Sequence, residues 1–153
     1  MIDYVTVKQA LFERCQEYAA QRIETARTAM EAAQAAANEE SKSSAGDKYE
    51  TGRAMAQIER DRHAQQLAEA LKLQQELTRI DSGKTYTSGQ PGSLVITSQG
   101  NYFIAISAGK ITLDKTDYFA VSPASPIGTR LNHAQANTEV VFNGKPIRIL
   151  AVA

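Results

Sequence analysis

The sequence predicts an α+β protein in which a long antiparallel helical hairpin precedes a small β-rich domain. Up to about Ile80 the chain is rich in Ala, Gln, Glu and Arg and contains no proline, a composition that favours helix over a long window. From Asp81 onward it changes to Thr, Ser, Gly, Val, Ile and aromatic residues and includes all 4 prolines. We therefore predict two domains, residues 1–80 and residues 81–153.

The first helix is predicted from about Val7 to Asn38. Thr6-Val7-Lys8-Gln9 has the form of a capping box, in which the Thr and Gln side chains satisfy free backbone amides. Beyond it, small and apolar residues largely follow the alternating steps of three and four that form a coiled-coil seam, although Gln16 falls on the same seam. A helix of roughly 30 residues is about 45 Å long, too long to be covered by a domain of this size. The seam residues are Phe12, Ala19, Ile23, Ala26, Met30, Ala33 and Ala37.

A second helix is predicted after the polar segment from Glu39 to Gly46, whose residues favour caps and turns. A short connection between two long helices requires them to lie antiparallel. We expect His63 to be a partly exposed seam residue and not a metal ligand or a base. Cys15 is expected to be a small apolar residue at or near the seam and not a nucleophile. The second seam, with one residue at every seventh position, is Tyr49, Ala56, His63, Ala70 and Leu77, and Leu73 and Ile80 widen it.

The second half of the chain is predicted to form a small antiparallel sheet with one crossing helix. Asn143-Gly144 is a two-residue hairpin signal because both residues tolerate positive φ. Ser125 and Pro126 predict the start of a short helix that ends near Leu131. Four aromatic residues are expected in the sheet core, with an aromatic-lined pocket as the alternative: Tyr102, Phe103, Tyr118 and Phe119. The predicted strands are Leu94–Thr97, Tyr102–Ile106, Lys110–Leu113, Tyr118–Val121, Glu139–Phe142 and Ile147–Val152.

Composition excludes several classes of function. The 17 basic and 17 acidic side chains cancel, which gives no support for a protein that coats nucleic acid or an anionic membrane. Cys15 is the single cysteine, so there is no intramolecular disulfide framework and a reducing compartment fits. The first residues lack an export signal, and no segment is apolar enough to span a bilayer. We expect a soluble cytoplasmic protein.

The segment Gly46-Asp47-Lys48-Tyr49-Glu50-Thr51-Gly52 is an acidic box at the predicted bend of the hairpin. Asp47 and Glu50 form a capping-box pattern for the second helix, and capping alone is a sufficient explanation for them. The functional alternative is that the two carboxylates supply oxygen ligands to Mg²⁺. Two exposed carboxylates cannot hold this ion tightly alone, so they would have to complete a site on a partner.

The acidic box, its place on a long hairpin and the β-rich domain that follows resemble the Gre family of transcript-cleavage factors, which bind bacterial RNA polymerase. The family carries Gly-Asp-x-x-Glu followed by Asn at its hairpin tip, and this chain has Gly46-Asp47-Lys48-Tyr49-Glu50 followed by Thr51. The family also carries Ser-Pro-Ile/Leu and a small residue before a short C-terminal helix, matched here by Ser125-Pro126-Ile127-Gly128. The order and spacing of the two motifs are more specific than either motif alone.

The resemblance implies a hairpin that enters the secondary channel of the polymerase and an FKBP-like C-terminal domain that docks on the channel rim. Asp47 and Glu50 are then the catalytic and metal-binding residues, because they help hold an Mg²⁺ shared with the polymerase active site. The resemblance also implies that the chain is not an enzyme by itself, because the polymerase hydrolyses the 3′ end of backtracked RNA. Expected partners are RNA polymerase, and RNA and DNA only within the elongation complex, with no membrane and a monomeric free protein. The residues implied in docking are Ser125, Pro126, Ile127 and Arg130.

Departures from the family pattern leave two other functions open. Arg53 occupies a position that is often acidic in the family, and Glu39-Glu40 offers a second acidic pair before the box. Positive charge from Lys48 and Arg53 competes with a cation for the carboxylates, which suggests a channel-occupying regulator that inhibits the polymerase without promoting cleavage. A coiled-coil adaptor, in which the box only caps a helix, is the other alternative.

Overall fold

The fold is α+β, as predicted: a long helical hairpin is followed by a six-stranded mixed sheet with one short helix. A computed structural model describes residues 3–41 and 46–153. Within these ranges, the side chains of residues 40, 41 and 46–50 are not described. The hairpin consists of α1, Tyr4–Ser41, and α2, Gly46–Leu77. The later elements are β1 Leu94–Thr97, β2 Gly100–Ile104, β3 Gly109–Leu113, β4 Thr116–Val121, α3 Pro126–Leu131, β5 Glu139–Phe142 and β6 Lys145–Val152.

The chain divides into two compact units, which we call the sheet unit, Met1–Tyr18 with Gln75–Ala153, and the hairpin unit, Ala19–Gln74. These limits differ from the change of composition at residues 80 and 81, because the base of the hairpin packs with the sheet. Lys8 is 2% exposed, and its ammonium donates to the carbonyl of Lys84 at 2.6 Å. The predicted division into domains remains a prediction about which segments fold independently.

The first helix begins earlier than predicted, because Asp3 and not Thr6 caps it. The Asp3 carboxylate accepts hydrogen bonds from the amides of Val5 and Thr6 at 3.1 and 3.3 Å. Its backbone carbonyl accepts the first helical bond, from the amide of Val7, at 3.1 Å. The hydroxyl of Thr6, followed by its amide, lowers the pKa of Asp3. The predicted box at Thr6 and Gln9 is therefore wrong.

The base of the α1 seam is also shifted by one residue from the predicted register. Leu11 and Cys15 are fully buried, whereas Phe12 is half-buried and Gln16 is exposed. Near its base α1 packs on the sheet unit, so a pattern that assumes α2 as the sole partner selects the wrong residues. Further along, Ala19, Ile23, Ala26 and Ala37 are buried as predicted, whereas Met30 and Ala33 are half-buried.

In the hairpin unit the two helices meet through small side chains. Ala26 and Ala37 on α1 and Ala70 on α2 are each no more than 6% exposed. Arg60 on α2 donates to the side-chain oxygen of Gln34 on α1 at 3.2 Å, which links the helices directly. Alanine seams allow helix axes to approach to the short end of the usual 8–10 Å range.

The sheet has the order β3-β4-β2-β1-β6-β5 and is mixed, not purely antiparallel as predicted. The exception is the parallel pairing of β2 with β4, in which Tyr102 lies opposite Phe119. It arises because β3 lies outside β4 at the sheet edge, so the hairpin of β3 and β4 returns beside β2. The strands β5 and β6 are joined by Asn143 and Gly144 with φ of 52° and 76°, as predicted.

The core of the sheet unit occupies both faces of the sheet. Phe103 and Ile104 are neighbours on β2 and point to opposite faces, yet they are 0% and 1% exposed. The backbone of Ile106, just after β2, is near enough to the Cys15 thiol to influence its pKa, which places the base of α1 close to this segment. One buried apolar cluster joins residues of α3 to residues of the strands. Its members are Val95, Ile104, Ile127, Leu131, Ala134, Ile147 and Ile149.

Candidate functional site

The first turn of α2 contains both residues of the predicted acidic site. The helix begins at Gly46, so Asp47 and Glu50 are helical and three residues apart. Residues with this spacing share one face of a helix. A helix N-terminus favours negative charge through the macrodipole, which stabilises carboxylates here whether or not they bind a cation. Their side chains lie outside the described residues, so their role as metal ligands remains a prediction.

The alternative acidic pair lies at the other end of the connection between the helices. Glu39 and Glu40 belong to the last turn of α1, and Glu39 is exposed. The C-terminal end of a helix disfavours negative charge. Asp47 and Glu50 therefore occupy the electrostatically better position for two carboxylates.

Arg53 lies one helical turn beyond Glu50 on α2 and is exposed. A residue three positions away on a helix is a neighbour of Glu50 on the surface. The positive charge that distinguishes this chain from the Gre pattern is consequently close to the acidic box. In general, positive charge near carboxylates favours their ionised form and also competes with a bound cation.

Within the described side chains, no group of three or more His, Cys, Asp or Glu residues is arranged to hold a metal ion. His63 has partners within the hairpin unit: one ring nitrogen is 2.9 Å from the side-chain oxygen of Gln66, and the other is 3.6 Å from the carboxylate of Glu59. Its 20% side-chain exposure confirms the prediction of a partly exposed seam residue.

Cys15 is buried in the sheet unit, in agreement with the prediction of a small apolar residue at or near the seam. Its side chain is fully buried, and burial raises the pKa of the thiol to about 12. The thiolate is the nucleophilic form of cysteine. Cys15 therefore stays protonated and unreactive near neutral pH.

The predicted docking residues lie at the start of α3. The Ser125 hydroxyl donates to the carbonyl of Ser122 at 2.6 Å and accepts from the amide of Gly128 at 3.1 Å. This geometry confirms the predicted Ser cap with Pro126 in the first turn. A Cβ at Gly128 would lie 2.1 Å from the Ser122 carbonyl oxygen, so the tight turn requires glycine.

The four predicted docking residues do not share one environment. Pro126 and Arg130 are exposed and Ser125 is half-buried. Ile127 is 8% exposed and belongs to the core that packs α3 on the sheet. Ile127 is thus an anchor of the helix, and the surface open to a partner is formed by Pro126 and Arg130. Whether they bind a partner remains a prediction.

A cavity of about 350 Å³ lies where the start of α1 meets the turn between β3 and β4. Asp114 and Lys115 in that turn have φ of 48° and 67°. The sequence did not predict this turn conformation, because neither position is a glycine or an asparagine, the residues that most often adopt positive φ. Asp3 already uses its carboxylate to cap α1. The cavity lining is Asp3, Thr6, Val7, Leu113, Asp114, Thr116 and Tyr118.

Lys8 is a buried cation that sequence reasoning missed. Its ammonium lies 4.7 Å from the centre of the Tyr86 ring, a cation–π distance. Burial lowers its pKa, and the charge of Asp81 opposes this shift. Its partners are all in the sheet unit, so Lys8 fixes the base of α1 to the connector after α2. A lysine at a seam position gives no distinctive signal in the sequence.

Comparison with solved structures finds a chain titled "Structure of the transcription factor Gfh1". It is 19% identical to this protein over 90% of this chain and 92% of that one, with a TM-score of 0.35. Similarity at this level supplies no argument about function. No family model matches this chain, and no curated protein matches it. No helix among the described residues is long and apolar enough to cross a membrane.

Proposed function

We propose that this protein is a Gre-like transcription elongation factor that binds bacterial RNA polymerase in the cytoplasm. Its hairpin enters the secondary channel and stimulates cleavage of backtracked RNA. The observation that carries the proposal is the position of Asp47 and Glu50 in the first turn of α2, at the connection between two long helices. A β-rich domain follows, with the Ser-Pro-Ile motif at the start of a short helix. This arrangement agrees with the motif order on which the resemblance rests.

The two carboxylates fit a shared Mg²⁺ site better than an independent one. Mg²⁺ requires six oxygen ligands in octahedral geometry and commonly takes only one or two from protein carboxylates. In phosphodiester hydrolysis a second metal ion activates water and stabilises charge at the phosphate. Asp47 and Glu50 would supply part of its ligand set, and the polymerase and RNA the rest. Docking raises the effective concentration of the carboxylates, so a weak intrinsic site is sufficient.

The sheet unit has the role of holding the factor on the polymerase. Pro126 and Arg130 are exposed at a helix start that is fixed by the Ser125 cap and by the buried Ile127 side chain. A rigid helix start presents a defined surface, which reduces the entropy lost on docking. In this function the factor is a monomer that meets nucleic acid only inside the elongation complex.

The test is RNA shortening in a halted, backtracked elongation complex. The wild-type protein is compared with an Asp47→Asn/Glu50→Gln variant and with a matched Glu39→Gln/Glu40→Gln variant. We expect the wild type and the Glu39/Glu40 variant to shorten the RNA. The Asp47/Glu50 variant should lose on the order of 100-fold in rate, the scale for removing a preorganised electrostatic contact. Equal shortening by all three proteins would contradict the assignment of these residues.

The second candidate function is inhibition of the polymerase by occupation of the channel. The exposed Arg53, one turn from Glu50, is the observation that favours it. An inhibitor would bind the polymerase and lower RNA synthesis while leaving backtracked RNA at full length. Stable self-association without any binding to polymerase would instead support the coiled-coil adaptor.

A further inference from the structure

Two large apolar side chains are exposed on the part of α2 nearest the acidic box. Met55 is 63% exposed and Ile58 is 66% exposed. They are three residues apart, so they are neighbours on the helix surface. Along the helix axis they lie roughly 7 and 12 Å beyond Glu50, at 1.5 Å per residue. We call these two residues the apolar pair.

The apolar pair continues the helix face that carries Asp47. Successive residues on an α-helix are separated by about 100°, so residues eleven apart return to within about 20° of each other. Asp47 and Ile58 have this separation; Thr51 and Met55 follow Asp47 at steps of four, which places Met55 about 80° around the helix from Asp47. Ala70, which is buried, and Ala56, which is half-buried, lie roughly 120° and 160° around the helix from Ile58. A partner that covers this face at position 47 therefore also meets the apolar pair.

Two arginines that follow the pair on α2 have acidic partners within the hairpin unit. Arg62 is 2.6 Å from the carboxylate of Glu59. Arg60 is 3.1 Å from the carboxylate of Asp61 and also binds Gln34. Nucleic acid binding depends on positive charge that neutralises phosphates, and these two arginines already have acidic partners. The chemistry of the pair and its surroundings favours an apolar protein surface over RNA.

The size of the pair excludes a stable dimer formed through it alone. Two side chains expose at most a few hundred Å², the scale of an ordinary surface patch. A stable protein interface buries roughly 1,200–2,000 Å² in total. The apolar pair is useful only as part of a larger interface whose other contacts lie elsewhere on the same chain.

We infer that Met55 and Ile58 form a contact surface for an apolar part of the RNA polymerase channel wall. This inference rests on the proposed function and adds to it a binding role for residues outside the acidic box. The pair contributes affinity and fixes how α2 is rotated in the channel, while Asp47 and Glu50 supply the chemistry. Buried apolar anchors dominate interface energetics, and neighbouring polar contacts contribute less.

The experiment measures the affinity of the full-length protein for core RNA polymerase. Wild type is compared with Met55→Gln/Ile58→Gln and with Leu71→Gln, a matched control that removes another exposed apolar side chain of α2, itself 43% exposed. We expect the double variant to bind about tenfold or more weakly through faster dissociation, and the control to bind within about twofold of wild type. Thermal unfolding of each variant verifies that the hairpin is intact.

The outcomes separate this inference from the proposed function. If wild type and the double variant bind equally well, the contact surface is misplaced and the proposed function stands. A wild-type protein that fails to bind polymerase overturns both. Concentration-dependent dimerisation of wild type that the double variant abolishes would assign the pair to a second copy of the chain and would overturn the inference.

Discussion

The two units of this protein are built from different kinds of buried side chain. In the sheet unit the fully buried residues are large, such as Phe103, Leu94 and Ile149. In the hairpin unit most of the buried residues are alanine, with Ile23 as the largest. Apolar burial contributes about 25 cal/mol per Å², so the sheet unit holds most of the tertiary stabilisation. The hairpin unit depends more on helix propensity and on continuity with the helix ends in the other unit.

This difference suits the two roles that we propose. A docking domain requires one rigid surface, which a packed core supplies. A segment that enters a channel has to be thin, and an alanine seam allows two helices to lie close together. The consequence is a lower local stability in the hairpin unit, because few buried apolar contacts oppose its opening.

The largest effect is expected from shortening a large core residue of the sheet unit. Phe103→Ala should lower the free energy of unfolding by about 3–5 kcal/mol, because Phe103 is fully buried. Ile23→Ala in the hairpin unit should lower the free energy of unfolding by about 2 kcal/mol, the low end for Ile→Ala substitutions in a core. The reason is that two paired helices can move together and fill the cavity more easily than a packed sheet can. Urea unfolding followed by circular dichroism measures both. An equal or greater loss with Ile23→Ala would refute the contrast between the units.

A smaller effect is expected from pH, and it belongs to the sheet unit. Burial raises the pKa of Cys15 from 9.0 to about 12. Between these values the unfolded chain releases the thiol proton and the folded chain keeps it, so stability is fully present below pH 9 and falls as pH rises. From pH 8 to pH 10.5 the loss should be roughly 2 kcal/mol.

The Cys15→Ala variant isolates this contribution. It loses packing at every pH, but its stability should fall less steeply than that of wild type over the same interval. Tyr86 and Tyr118 also have pKa values raised by burial, and they titrate in both proteins, so the difference in slope reports Cys15. Parallel pH profiles for the two proteins would show that the thiol is not protected from solvent.

An effect of similar size to that of pH, but confined to the hairpin unit, concerns the alanine seam. Ala37 is 6% exposed, whereas its neighbour Ala36 is exposed. Ala37→Leu should destabilise the hairpin unit by about 1–3 kcal/mol, because extra methylene groups force the helices apart. Ala36→Leu should change stability by less than about 0.5 kcal/mol. Amide hydrogen exchange in residues 19–74 measures this locally, and equal exchange in both variants would refute a close seam.

The parts of the fold that follow local patterns were predictable from the sequence. Heptad spacing located both helices of the hairpin, and the Ser125 cap and the Asn143-Gly144 turn were found where predicted. The parallel pairing of β2 with β4 was not predictable from the sequence. It depends on the position of β3 at the sheet edge, which no local sequence pattern indicates. The base of the α1 seam was misplaced for a similar reason, since its packing partner lies far away in sequence.

The candidate site divides in the same way. The start of α2 near Asp47 and Glu50 was predicted because acidic residues and glycine mark a helix N-terminus. Met55 and Ile58 were missed, because they fall outside the seam pattern and a search for buried residues ignores them. Lys8 was missed because a lysine buried against Tyr86 is recognised only when the connector residues are near it in space.

The central claim is that Asp47 and Glu50 help hold a Mg²⁺ ion that the polymerase alone holds weakly. It is tested by the Mg²⁺ concentration that gives half-maximal RNA cleavage in a backtracked elongation complex. Wild type should lower this concentration about tenfold relative to the complex without factor, the size of a modest binding contribution. The Asp47→Asn/Glu50→Gln variant, added at a concentration that saturates the polymerase, should give the same half-maximal Mg²⁺ concentration as the complex without factor. The same Mg²⁺ requirement with both proteins would contradict the claim.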